Sequence, residues 1–219
     1  MRILAFTDIH SAYDKVENII KSEKFDVLII GGDITNVGKM DEVKNKLNHW
    51  KKLTNHLLAV VGNMDLPQHD DLILELGYSI NGRGVILDDV GFFGCSAAPI
   101  SPLRTPYEIS ENKISEILQK GYQQVKAAKY KILVSHAPPY GTKLDIVHSG
   151  IHVGSTAVRE FIENYKVDVV ICGHIHESRG IDQLNDTKIV NCGSAAKMQY
   201  AIIEIVDEQI NITTYIGKI

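Results

Sequence analysis

An α/β fold in a single domain is predicted by three features of this 219-residue chain. Short β-branched runs alternate with helical patterns, glycine turns close several of the runs, and chemically capable side chains stand just beyond them. The runs at 3–7, 26–30, 57–61, 130–135 and 167–172 are too short for helices and rich enough in Val and Ile for buried strands.

The connecting segments have the other period. Val16, Ile19 and Ile20 recur at helical spacing, with Asp14, Lys15, Glu17 and Lys21 on the opposite face. Val43, Leu47, Trp50 and Leu53 repeat the pattern before the third run. Ser110 can start a helix through Ile114, Ile117 and Leu118 that stops near Gly121, and Ser155 is an N-cap for one through Val158, Phe161 and Ile162 to about Tyr165. Strand, helix, strand order implies parallel pairing with helices on the sheet faces. The runs at 85–87, 90–94, 188–191, 201–206 and 210–216 have no helices between them and predict a second, largely antiparallel sheet. Segments 97–107 and 137–154, rich in Gly, Pro, Ser and Thr, are the expected functional loops.

Composition narrows the class. Hydrophobic residues make up 44% of the chain and charged residues 23%, the balance of a globular protein. The net charge is -4 and the 23 basic residues are dispersed, so nucleic acid is a permitted partner but not the favoured one. Cys95, Cys172 and Cys192 are widely spaced in apolar or Gly-rich stretches, as buried reduced thiols would be. An acid at position 8 arrives too soon for the apolar core of a signal peptide, and no stretch approaches a membrane span. The expectation is a cytoplasmic protein without membrane association.

The chemistry is concentrated at the ends of the predicted strands. Asp8 and His10 follow the first, Asp33 the second, Asn63 the third, His136 the fourth, and His174 and His176 the fifth. Ligands of open α/β sheets bind at the carboxyl edge, so residues spread from 8 to 176 can converge on one site within one domain spanning 1–219. Each residue alone has a plainer reading as a turn or surface group. Together, two carboxylates, an amide oxygen and four imidazoles exceed one four-coordinate site and suit two five- or six-coordinate ions sharing a carboxylate, with Asp33 as the bridge.

The blocks Asp8-Ile9-His10, Gly32-Asp33, Gly62-Asn63-Met64-Asp65, His136 and Gly173-His174-Ile175-His176 resemble, in order, the signature of the calcineurin-like metallophosphoesterase family. The resemblance implies a four-layer α-β-β-α sandwich, two mixed β-sheets flanked by helices. It further implies that Asp8, His10, Asp33 and His176 hold one ion and Asp33, Asn63, His136 and His174 the other. Two ions about 3.5 to 4 Å apart would polarise a phosphate ester and generate a hydroxide nucleophile, with no covalent enzyme intermediate. Oxygen and imidazole ligands without thiolate suit divalent or trivalent Mn, Fe, Zn, Ni or Co, with Mn or Fe favoured.

One block departs from the family's commonest form, in which a histidine follows the asparagine and assists the leaving group. Here Met64 stands there, and a thioether cannot donate a proton. Small members resembling this chain that also lack the histidine look like phosphodiesterases, which tilts the expected substrate toward diesters over monoesters. His152, in the Gly150-Ile151-His152-Val153-Gly154-Ser155 segment beside a helix N-terminus, is a candidate to bind phosphate or act as the acid; its alternative is a surface loop histidine. His148 is a weaker candidate, and Arg104 could pair with a substrate phosphate or be an ordinary surface arginine. His49, His56 and His69 are expected to be structural or exposed. A metal-free protein-interaction scaffold is the rival from another class, but such a module should lack ligands, and all seven positions are filled. A homo-oligomer is compatible with the sequence.

Overall fold

The computed structural model describes residues 1–217. Its strands are β1 (Arg2–Phe6), β2 (Val27–Gly31), β3 (His56–Val60), β4 (Gly84–Leu87), β5 (Val90–Cys95), β6 (Ala98–Pro99), β7 (Glu108–Ile109), β8 (Tyr130–Ser135), β9 (Val169–Cys172), β10 (Gly180–Leu184), β11 (Thr187–Asn191), β12 (Gln199–Val206) and β13 (Gln209–Ile216). The helices are α1 (Tyr13–Ser22), α2 (Met40–Lys51), α3 (Pro67–Glu75), α4 (Glu111–Val125) and α5 (Thr156–Asn164). None is long and apolar enough to cross a membrane.

Two mixed sheets carry the fold, ordered β13-β12-β1-β2-β3 and β10-β11-β9-β8-β5-β4, and β6 pairs with β7 in a small ribbon. Alternation along each strand explains why the sheets stack, because successive side chains point to opposite faces. In the first sheet Leu4, Phe6, Leu28 and Ile30 meet Val16, Leu47, Trp50 and Ile73 of α1, α2 and α3. Their neighbours Ile3, Ala5, Val27 and Ile29 face Phe92, Ile132, Val134 and Ile171 of the second sheet. The far face of that sheet, Phe93, Leu133 and Val170, is covered by Leu118 and Val125 of α4 and Val158 and Phe161 of α5. The order of layers is helices, sheet, sheet, helices, as the family resemblance implied.

The strand assignment within the layers corrects the reading from periodicity. The second sheet is not largely antiparallel: β5, β8, β9 and β11 run parallel, and only its edge strands β4 and β10 are antiparallel. Strands β12 and β13 instead extend the first sheet, β12 antiparallel to β1 and β13 antiparallel to β12. The cause is that β5 to β8 and β8 to β9 are helical crossovers through α4 and α5, which demand parallel pairing. Helix α4 also runs through Gly121, because the bare Cα there lets the helix approach β4 and β5; an added Cβ would lie 3.2 Å from Phe93 Cβ and 3.3 Å from the Arg83 carbonyl. Helix α3 and strand β10 have too few apolar residues in phase to be read from the sequence.

The caps behave as the sequence suggests. Ser110 Oγ accepts the Lys113 N–H at 3.3 Å, and Ser155 Oγ accepts the Val158 N–H at 3.1 Å while donating to Glu111 at 2.6 Å. All three cysteines are free and buried. Because Ser155 joins α5 to α4 through Glu111, Ser155→Ala should cost about 1 to 2 kcal/mol in urea unfolding with an unchanged m-value. A loss under about 0.3 kcal/mol would show that the cap is replaceable by water.

Candidate metal centre

The carboxyl ends of β1, β2, β3, β8 and β9 meet at one edge, and the loops leaving them carry Asp8, His10, Asp33, Asn63, His136, His174 and His176. Four of these, Asp8, His10, Asp33 and His174, have φ between 47° and 65°, a left-handed backbone that non-glycine residues rarely hold. Such strain persists only where surrounding structure enforces it and concentrates at functional sites. The enforcing bonds are visible: the Asp8 amide donates to the Gly32 carbonyl at 3.0 Å, the His10 amide to the Asp33 carbonyl at 2.9 Å, and the His174 amide to Asp8 Oδ2 at 3.0 Å. Gly173 must be glycine, since a side chain there would run into the Asp8 carboxylate and Thr7.

Asp8 and Asp33 are 0% and 2% exposed, a pair of buried acids in one cleft. Asp33 spans the centre: its Oδ2 lies 3.7 Å from His10 Nε2 and its Oδ1 lies 3.5 Å from His136 Nε2. His176 Nε2 is 3.0 Å from Asp8 Oδ1, and the His136 and His174 rings are 5.1 Å apart. Ligand atoms of Asp8, His10 and His176 converge within 4.8 Å of one another, as do those of Asp8, Asp33 and His136. Asp8 thus belongs to both convergences, beside the bridging position expected of Asp33.

Two contacts test whether cations fit. His136 Nδ1 donates to the Gly31 carbonyl at 3.0 Å, so in the neutral ring the lone pair of Nε2 faces Asn63 Oδ1 at 2.9 Å. His10 Nδ1 meets Asn36 Oδ1 at 2.6 Å, which turns its Nε2 lone pair toward His176 Nε2 at 3.3 Å. Imidazole, amide and carboxylate ligand atoms at this spacing, beside two buried acids with no Lys or Arg paired to either among the described residues, form a donor set that fits a cation.

Without a cation the acids lean on the imidazoles: burial opposes a charge on His136, yet Asp33 and Asp8 push it up, and the hydrogen bond to Asp8 raises His176. Burial opposes ionisation of Asp8, but the hydrogen bond to His176 and the fields of His136 and His176 prevail and hold its pKa near 2. Burial, reinforced by Asp8, pushes Asp33 up. Burial and the neighbouring His136 lower His174 to about 3, leaving its imidazole neutral and available as a ligand.

The structure also gives roles to residues that motif reading missed or left without one. Asn36 orients His10. Asp65 has no imidazole to orient; its carboxylate accepts the backbone N–H groups of Ile34, Thr35 and Gly62 at 2.9 to 3.0 Å and locks the Asp33 and Asn63 turns together. Asn191 donates to the carbonyls of Gly173 and Ile175, fixing the loop of His174 and His176. Asp65 stands in the Gly62–Asp65 block and Asn36 three residues after Asp33 in a polar turn, whereas Asn191 carried no local signal.

The remaining candidates are not among the converging ligand atoms. Arg104 is exposed at the turn of the 97–107 loop, without a side-chain hydrogen bond or ion pair among the described residues. His152 has a partner the sequence did not suggest: its Nδ1 is 2.7 Å from Oδ1 of the fully buried Asp145. His69, by contrast, is a buried structural residue whose Nδ1 accepts the Leu66 N–H at 3.0 Å.

Comparison with known proteins gives the class and then the relatives. The chain belongs to the calcineurin-like phosphoesterase family, whose sequence profile matches residues 1–178. It is 37% identical over 197 residues to an uncharacterized protein of Methanocaldococcus jannaschii, covering 87% of each chain. It is 23% identical to a probable cyclic nucleotide phosphodiesterase of Xenorhabdus bovienii, over 87% of this chain and 85% of that one. A crystal structure from Thermus thermophilus superposes with a TM-score of 0.73 at 14% identity, covering 97% of each chain, and shows the shared fold.

If the acids require cations, adding Mn²⁺ or Zn²⁺ to chelator-stripped protein should raise Tm. The rise should vanish when Asp8→Asn and Asp33→Asn are combined. Equal Tm with and without metal in the unaltered chain would show that the acids need no ion.

Proposed function

We propose that this chain hydrolyses phosphodiesters at a dinuclear metal centre, with Asp8, His10, Asp33, Asn63, His136, His174 and His176 as ligands and Mn or Fe as the favoured ions. Membership of the family supports phosphoric ester hydrolysis with divalent metal ions. Such ions, when bound, supply Lewis acidity toward the phosphoryl oxygens and acidify water.

The observation that carries the diester preference is Met64. Its amide donates to Asp33 Oδ1 at 2.8 Å and its carbonyl accepts from Val37 at 3.0 Å, so the backbone serves the site while the side chain offers no proton. A relative named a probable cyclic nucleotide phosphodiesterase supports the same preference.

In this reading His152 is the acid. Asp145 also accepts the amides of Gly141, Thr142 and Gly154, all at 3.0 Å, so it is a rigid anchor. Asp145 accepts the Nδ1–H, so when the ring is doubly protonated its Nε2–H is the proton presented to a leaving group, which leaves the neutral Nδ1–H tautomer still bonded to Asp145, from a side chain 36% exposed. Asn63 would orient the phosphoryl group and Arg104 would pair with it. The substrate is a small phosphate ester handled in the cytoplasm rather than at a membrane, with nucleic acid not favoured; a homo-oligomer is compatible.

The deciding experiment compares bis-p-nitrophenyl phosphate with p-nitrophenyl phosphate on protein reloaded separately with Mn, Fe, Zn, Ni and Mg. Faster diester cleavage is expected; faster monoester cleavage would make the protein a phosphatase, and no turnover would favour a scaffold. His152→Ala should leave metal content intact and slow poor leaving groups by about 10²-fold, the scale of general acid catalysis, with a smaller effect on p-nitrophenolate. An equal effect across leaving groups would refute the acid role.

A further inference from the structure

A cavity of about 520 Å³ opens beside the metal centre, within the range of small-molecule pockets. One wall is the 143–148 segment and the other is the turn after His176 leading into β10. Leu144, Ile146 and Ile181 give it an apolar floor, and Glu177, His148 and Arg179 are its charged or titratable groups.

Arg179 is the unusual group. Among the described residues its side chain has no hydrogen-bond or ion-pair partner, and its Nε is shut off from solvent. A buried Nε–H without an acceptor is costly, and on a half-buried arginine that lines an open cavity an anion from outside the chain can supply the acceptor. The other charges are matched: Glu177 accepts the His148 amide at 3.2 Å and faces its imidazole at 3.9 Å, while Lys143 lies 3.8 Å from Asp182. The arginine is also held in place. Gly193, at φ 76°, makes room for its stem, since a Cβ there would lie 2.6 Å from Cδ.

The cavity is mechanically joined to the metal loop. The turn His176–Ser178 carries a proposed ligand at its first residue and cavity wall at the next two. Asn191 ties the two sides together, donating to the Ile175 carbonyl at 2.8 Å and the Leu144 carbonyl at 3.3 Å. Three residues separate His176 from Arg179, a chain span of at most about 11 Å. That is the reach of one organic group between two anionic ends.

We propose that this cavity binds the organic group of the substrate and that Arg179 receives a second anionic substituent on that group, a phosphate or carboxylate. The proposal rests on the phosphodiester reading and narrows its substrate to diesters with an apolar or aromatic body and an additional negative charge.

The kinetic test is the ratio of kcat/KM for the 5′-p-nitrophenyl ester of thymidine 3′,5′-bisphosphate to that for bis-p-nitrophenyl phosphate. Arg179→Gln should lower this ratio about tenfold, as expected for one lost charge-assisted contact, and an unchanged ratio would overturn the proposal. Ile181→Asn, at the apolar floor, should lower it as well. Binding is read separately by methyl NMR on zinc-loaded full-length protein titrated with thymidine 3′,5′-bisphosphate. Shifts are expected at Leu144, Ile146 and Ile181, with affinity reduced about tenfold by Arg179→Gln; no shift at these methyls would overturn the site. Inorganic phosphate producing the same shifts with the same affinity would overturn the organic-group assignment. If neither diester is turned over with any ion, the phosphodiester reading fails, while the binding measurement still decides the cavity.

Discussion

The constraint on which the structure depends is the burial of Asp8 beside Asp33. Two acids in one low-dielectric cleft repel each other, and burial alone would drive both toward the neutral form. The chain answers with imidazoles rather than lysines or arginines, gathering the rings of His10, His136, His174 and His176 around the two acids. Such an arrangement is poorly satisfied by protein atoms alone. It becomes favourable when cations occupy the convergences, and this gives the strained loops a reason to persist.

That demand extends outward into the fold. The left-handed backbone at Asp8, His10, Asp33 and His174 is held by hydrogen bonds between loops from different strands, so no loop adopts its shape alone. Asp65 and Asn191 are the two main clamps. Asp65 ties the loop after β2 to the loop after β3, and Asn191 ties the loop after β9 to the neighbouring 144 region. Stacking the two sheets brings the β1, β2 and β3 ends against the β8 and β9 ends, and the centre forms across that seam.

The same architecture separates chemistry from selection. The candidate metal ligands sit in short, clamped turns, whereas the residues that would face a substrate's organic group lie on the long 137–154 segment and the approach to β10. Asp145 organises that segment and at the same time anchors His152. A family that shares the first set of residues can therefore differ in the second without disturbing the metal site.

The sequence by itself determined ten of the strands, most of the helices and the seven candidate ligands that the strand ends bring to one edge, because each is written locally: β-branched runs of strand length, Ser caps, and Gly-Asp, Gly-Asn and Gly-His turns. It did not determine how strands 85–94 and 188–216 divide between sheets, since a run buried on both faces looks alike in either sheet and only the α4 and α5 crossovers decide the pairing. The sequence singled out His152 without a partner and did not single out Arg179 at all. Tertiary structure put a buried carboxylate against the first and left the second without an acceptor, because contacts between segments far apart in the chain leave no periodic trace along it.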